Sequence, residues 1–412
     1  MSVIRFIHTA DIHFGMENYG KIDPKTGIHT RLLDFERAFN FCIDVAIEQN
    51  VDFFLFAGDA YKTAHPSPTQ QKLFLKCLLR LFKANIPVVM VIGNHDNPLS
   101  FGKAHSLDIF ADLPLNGFHV FAKPGIITLQ TKNGPCSIVG MPWPTRNTLS
   151  LGTQLLKSGS HITQYISQAV ADIIKDLASQ VDQTIPAVLV GHLTVSSGIF
   201  SGSEKRAIYG TDPILLPSQL AISPFDYVAL GHLHRFQDLN SGNNPPIVYS
   251  GSLERVDFGE RKEEKGFCLV TLNNKQKTTY EFIKTPTRPF IQIEVHLVPD
   301  KDQTKQILEK LETYTITDAV IKILYHIPTA QQDSVDLRVI HRACNSAMYV
   351  VGIIPVRKPE TRERRTQVAV DMSLETILDA YFSSRPDYQI RKQTLISKTL
   401  ELLNEHDEQE QQ

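Results

Sequence analysis

No run of residues in this chain approaches the roughly 20 apolar positions that a membrane-crossing helix needs. The amino end, MSVIRFIH, has too short an apolar stretch, broken by Arg5, for a secretory signal. Cysteine is scarce: Cys42, Cys77, Cys136, Cys268 and Cys344 are odd in number, scattered, and never spaced as C-x-x-C. That usage excludes a zinc ribbon and a disulfide framework, suits a reducing compartment, and leads us to expect a cytoplasmic protein. Excess charge is missing too. With 42 basic and 44 acidic residues the net charge is -2, so there is no global electrostatic footprint for a polyanion, and any grip on nucleic acid must be local or supplied by a partner. What is present is ample core material, 42% hydrophobic residues in 412, enough for two or three domains. There is no internal repeat.

Up to about residue 285 the chain alternates strand-length apolar runs with amphipathic helical stretches. Val3 to His8 precedes a helix near 34–49, Val51 to Phe56 a helix near 69–84, and Ile86 to Ile92 follows. Later come a helix near 161–180, then Ile185 to Val190 and Asp226 to Leu230. Strand, helix, strand in succession predicts parallel strands covered by helices. Between 117 and 140, and from 246 to 283, strands follow one another through short turns and read as antiparallel additions. TPTRPF at 285–290 marks a boundary, so 1–285 forms the first domain. Residues 286–356 then read as a small α+β unit of strand, helix, strand and strand. Residues 357–371, around RKPETRERR, are a charged linker, 372–405 carry two helical patterns, and 406–412 (HDEQEQQ) have no apolar anchor and are expected to be disordered.

Five of the apolar strands end alike. VIRFI leads into HTADIH, with Asp11 and His13; VDFFLF into AGD, with Asp59; VVMVI into GNHD, with Asn94, His95 and Asp96; AVLV into GH, with His192; DYVAL into GHLH, with His232 and His234. In an open parallel sheet the carboxyl ends of strands lie along one edge, where ligands bind. Singly, each motif has a plain alternative: Gly-Asp serves a turn or caps a helix, and His192 alone is compatible with a core histidine. Together they offer carboxylates, an amide and imidazoles without a thiolate, a donor set for Mn²⁺, Fe or Zn²⁺. Two aspartates, one asparagine and three or four imidazoles exceed what one tetrahedral ion needs. Two ions roughly 3.5–4 Å apart, bridged by one carboxylate, use them all, and such pairs hydrolyse phosphoesters.

The ordered set DIH, GD, GNHD, GH and GHLH resembles the calcineurin-like metallophosphoesterase superfamily. Within it, AGDAYKTAHPSPTQQ, FGKAHSLDIFADL and especially YSGSLERVDFGERKEEKGF are similar to the SbcD family of nuclease subunits. The resemblance covers residues 1 to about 290 strongly, continues into the small domain, and fades beyond 356. It implies an α/β fold: a layered sandwich of mixed sheets flanked by helices, with a small α+β cap and C-terminal helices. It implies that Asp11, His13, Asp59 and His234 hold one divalent ion and Asp59, Asn94, His192 and His232 the other, with Mn²⁺ expected. His95 would face the phosphate and donate a proton to the leaving oxygen, with Asp96 orienting it. Lys62 stands where many relatives carry a histidine, and is expected to touch DNA phosphate as a point charge.

The resemblance further implies a double-strand exonuclease and structure-specific, single-strand endonuclease acting in DNA repair and recombination, nucleoid-associated, and a homodimer within a heterotetramer. Its partner would be an SbcC-type ATPase. Ser373 is a candidate cap for the first terminal helix, whose Leu374, Ile377, Leu378, Tyr381 and Phe382 share one face. Ile396, Leu400 and Leu403 form a second stripe. Short helices of this kind must dock, either on their own domain or on the ATPase. The rival readings are a small-molecule phosphodiesterase or phosphatase of the same superfamily, for which the mass after 285 is superfluous, and a non-catalytic scaffold, which would be expected to have lost ligands.

Overall fold

A computed structural model describes residues 3–98, 104–112, 117–145, 148–149, 159–202, 212–273, 278–329, 331–357, 374–383, 388 and 391–410. The charged linker from 358 onward and the Ser373 cap lie outside the described residues.

Two six-stranded sheets stack face to face. The first runs β14(Thr279–Lys284), β13(Gly266–Leu272), β1(Ile4–Thr9), β2(Phe53–Phe56), β3(Val88–Val91), β4(Phe118–Phe121). The second runs β11(Gln237–Asp238), β12(Ile247–Tyr249), β10(Tyr227–Gly231), β7(Ala187–His192), β6(Gly134–Met141), β5(Gly125–Thr131). A short parallel pair, β8(Thr194–Val195) with β9(Ile214–Leu215), lies beside them. In both sheets the central strands are parallel and β13, β14, β5 and β11 pair antiparallel at the margins. β4 departs from the sequence reading. It pairs parallel with β3, and α3(Asp108–Asp112) lies between the two strands in the chain, as a parallel connection requires a crossover.

The continuous apolar runs follow from burial on both faces. In β2, Phe53 and Leu55 point into the layer between the sheets while Phe54 and Phe56 face α1(Thr30–Glu48) and α2(Pro68–Lys83). In β10, Tyr227 and Ala229 meet the first sheet while Val228 and Leu230 face α4(Gly159–Gln180). Ser67 starts α2 with a capping box to Gln70 and Pro68 follows at the first helical position. A short α5(Pro217–Leu220) leads into β10. The result is the layered sandwich of mixed sheets flanked by helices that the sequence led us to expect.

A third sheet, β15(Phe290–His296), β16(Val320–Ile327), β17(Tyr349–Arg357), is parallel throughout. α6(Gln303–Glu312) makes the first crossover; the second, α7(Leu337–Ala343), escaped the sequence reading, which expected consecutive strands. α7 has seven residues and buries only Ile340, too little periodicity to register. This cap is tied to α1 by a buried ionic lattice. Arg288 makes paired bonds to Asp34 at 2.7 and 2.6 Å, and Asp34 also accepts from the buried Arg31 at 2.9 Å. The Arg31 guanidinium sits over the Phe290 ring, which packs on Tyr19 and Phe258.

The two terminal helices, α8(Leu374–Ser383) and α9(Lys392–Glu410), pack on each other, with Lys392 bonding Asp379 and Ser383 at 2.6 and 2.7 Å. The tail is not structureless from 406: α9 continues to Glu410, since Glu and Gln propagate a helix once it is nucleated.

Candidate metal centre

The five strand-end motifs converge at the carboxyl ends of β1, β2 and β3 on one sheet and β7 and β10 on the other. Beyond β1 and β2 the chains stay paired through Asp11 N–H to Gly58 C=O (3.0 Å) and His13 N–H to Asp59 C=O (3.1 Å). They do so in an unusual backbone state. Asp11, His13, Asp59 and His232 all have positive φ, 53°, 50°, 60° and 103°, a conformation that costs non-glycine residues energy and gathers at functional sites. Two glycines make the approach possible. A Cβ on Gly93 would lie 2.1 Å from Asp59 Oδ1, and one on Gly58, itself at φ 94°, would lie 2.4 Å from His192 Nδ1.

The imidazoles are anchored on one nitrogen and turned inward on the other. His192 Nδ1 donates to Ala57 C=O at 2.8 Å, leaving Nε2 at 2.9 Å from Asn94 Oδ1 and 3.4 Å from Asp59 Oδ2. His234 Nδ1 donates to Glu260 Oε1 at 2.9 Å, and its Nε2 lies 3.0 Å from His13 Nε2. His232 places Nδ1 3.1 Å from Asn94 Oδ1 and Nε2 3.5 Å from Asp212. Asp59 Oδ2 stands between the two groups, 3.7 Å from His13 and 3.4 Å from His192. Asp11, His13 and His234 form one compact donor set, and Asp11, Asp59 and His192 an overlapping one. All seven expected ligands are therefore brought together.

Whether these residues suit cations is decided by the donor chemistry. Once His192 Nδ1–H and His234 Nδ1–H are committed, either ring in its neutral form turns a lone pair on Nε2 toward other lone pairs. Oxygens and bare nitrogens facing one another at 3 Å repel unless a positive charge lies among them. Where the carboxyl of Asp11 and the imidazole of His192 are raised, protons meet the same demand for positive charge. Burial pushes the Asp11 carboxyl up to about 7 against the pull of His192 and His234. Burial also works to raise Asp59, but the imidazoles of His192, His95 and His13 outweigh it and hold that carboxyl well below its usual range. Burial lowers His13 well below, and also lowers His232, whereas for His192 the charge of Asp59 overcomes burial and raises it to about 9. The set fits divalent ions.

His95 is exposed at the rim, its ring edge-on to His13 at 4.9 Å. Its N–H donates to Asp59 Oδ1 at 2.9 Å, and its Nδ1 to the backbone carbonyl of Lys62 at 2.7 Å. The expectation for Asp96 is therefore corrected. Asp96 is fully buried and accepts from the backbone N–H groups of Asp59, Ala60, Tyr61 and Gly93 at 2.9 to 3.3 Å. It locks the loop that carries Asp59, and Lys62 C=O orients His95 instead. The Lys62 side chain itself is exposed.

Sequence reasoning missed the outer supports. Glu260 is wholly buried, its second oxygen accepting from Val256 N–H at 2.9 Å and from Lys265 Nζ at 2.8 Å, while Lys265 also donates to His234 C=O at 2.9 Å. Burial raises the Glu260 carboxyl, but Lys265 and His234 win and bring it to about 2. Both residues belong to the GSLERVDFGERKEEKGF stretch singled out above, which carried the signal without revealing the roles. The sole tryptophan, Trp143, packs on His232 and His192 with ring centres 4.8 and 6.0 Å apart.

A family model described as calcineurin-like phosphoesterase matches residues 4–236. A Staphylococcus saprophyticus protein, named as the SbcD component of nuclease SbcCD, is 30% identical over 317 residues, 75% of this chain and 75% of that protein. A Staphylococcus epidermidis protein of the same name is 27% identical over 297 residues, 71% of this chain and 72% of that one.

Proposed function

This chain belongs to the calcineurin-like phosphoesterase family, among the relatives of the SbcD component of nuclease SbcCD, and from that premise we propose that it is a DNA nuclease dependent on two divalent ions. The observation that carries the reading is the convergence of Asp11, His13, Asp59, Asn94, His192, His232 and His234, whose lone pairs meet with Asp59 between two groups. One ion would be held by Asp11, His13, Asp59 and His234, and the other by Asp59, Asn94, His192 and His232. Mn²⁺ is compatible with this mixed oxygen and nitrogen, thiolate-free set. Bound there, divalent ions supply Lewis acidity and charge neutralisation to a phosphoryl group.

The chain's own residues supply orientation and proton transfer. Water adds to phosphorus, a P–O ester bond breaks, and the departing alkoxide takes a proton. His95 is the donor in its imidazolium form: with Nδ1–H held by Lys62 C=O, the second proton, on Nε2, is the one it gives up. Lys62 offers its ammonium at the same rim to a neighbouring DNA phosphate. The near-neutral net charge fits a protein that gains DNA affinity from self-association and from an SbcC-type ATPase, docked by α8 and α9, in repair and recombination.

The test compares wild type with His95→Ala on labelled duplex DNA, a DNA hairpin and bis-p-nitrophenyl phosphate in Mn²⁺. Loss of the general acid lowers kcat on DNA by about 10²–10⁴-fold, and by far less on the nitrophenyl ester, whose leaving group needs no proton. Equal loss on all three substrates refutes the acid role. Wild-type activity on the ester alone returns the small-molecule reading.

A further inference from the structure

On the exposed face of the cap sheet, three side chains have no part in the reaction just described. β15 and β16 pair in parallel with His296 directly opposite His326, and Glu294 lies two residues before His296, so all three project from one face. The opposite face is closed by α6 and α7 over Ile293, Val295, Ile323 and Tyr325, which fixes the backbone beneath them. Glu294 Oε1 lies 2.7 Å from His326 Nε2 and 4.0 Å from His296 Nε2, and the two rings stack at 4.2 Å, 13° from parallel. One donor atom from each residue falls within 4.8 Å of the others.

We propose that Glu294, His296 and His326 form a second, independent metal site on the cap, taking a borderline transition ion such as Zn²⁺, Ni²⁺ or Cu²⁺. Two imidazoles and one carboxylate are the donors those ions favour over Mg²⁺ or Mn²⁺. Three ligands leave further coordination positions open to solvent or to a partner's side chain. The neighbouring cation does not oppose binding, because the Lys322 ammonium is drawn over the Phe258 ring at 5.8 Å. The sheet also removes most of the ordering cost: the three backbones are held by ladder hydrogen bonds, and only side-chain rotamers remain to be fixed.

The experiment is equilibrium dialysis of the full chain against Zn²⁺, with bound metal counted by mass spectrometry, for wild type, His296→Ala, His326→Ala and Glu294→Gln. Wild type is expected to retain one Zn²⁺ equivalent more than either alanine variant, with Mn²⁺-dependent cleavage unchanged in all four. In His326→Cys the site survives with a thiolate, and Co²⁺ then gives a sulfur-to-metal charge-transfer band that His326→Ala lacks. Equal Zn²⁺ retention in every variant overturns the proposal, as does an extra equivalent lost only together with nuclease activity.

Discussion

Replacing Glu260 by Gln tests the support behind one imidazole without changing its volume. The carboxylate faces three donors: His234 Nδ1–H at 2.9 Å, Val256 N–H at 2.9 Å and Lys265 Nζ at 2.8 Å. A glutamine has one oxygen for them and must point its NH₂ at another donor, leaving the buried Lys265 ammonium with only Glu263, at 3.1 Å, as a carboxylate partner. Loss of a carboxylate behind a metal-binding histidine typically costs 10–100-fold in metal affinity, about 1.4–2.7 kcal/mol. Breaking a buried ion pair adds about 3–5 kcal/mol of folding cost. The two effects separate cleanly. Mn²⁺ titration by calorimetry well below the unfolding temperature should show one of two sites weakened by at least tenfold, while unfolding in EDTA reports the structural loss. Adding Lys265→Met to Glu260→Gln should recover stability but not affinity. Unchanged Mn²⁺ affinity in Glu260→Gln refutes the reasoning.

Three further outcomes follow from single features. Asp96→Asn faces four backbone donors with one oxygen, so denaturant unfolding in EDTA should show a loss of about 3 kcal/mol; a change within about 0.5 kcal/mol, the scatter of an ordinary surface substitution, contradicts the role. His8, buried between the sheets against Tyr227 OH and Leu230 C=O, is lowered by burial to about 3. The unfolded chain thus binds a proton below about pH 6.5 that the folded chain refuses, and stability falls with pH from there toward 3, by about 2 kcal/mol at pH 5. His8→Gln should flatten that part of the stability–pH curve, and an unchanged slope excludes His8 as its source. A chain ending at residue 366, without α8 and α9, should keep Mn²⁺-dependent cleavage and lose co-purification with an SbcC-type ATPase; retained binding places the contact elsewhere.

The candidate ligands were legible because each follows a strand buried on both faces, where a run such as VVMVI leaves no place for polar side chains except at its end. Asn94 and His95 are conspicuous there for that reason. Asp96 was equally conspicuous and was misread, since sequence places it beside His95 but only folding places it under the loop of Asp59. Glu260 and Lys265 lie in a turn-rich stretch without periodicity, and nothing local says that they reach His234. Asp212 is remote in the chain from the His232 it meets. In the cap the strands were plain from their β-branched runs. Their parallel order was not, because it depends on α7, a seven-residue helix with one buried side chain.

The central claim is that two cations share the carboxylate of Asp59. Crystals grown with Mn²⁺ and measured at the manganese absorption edge test it most directly. The account predicts two anomalous peaks about 3.5–4 Å apart, one beside Asp11, His13 and His234, one beside Asn94, His192 and His232, with Asp59 touching both. A single peak, or a pair of which Asp59 touches only one, would contradict it.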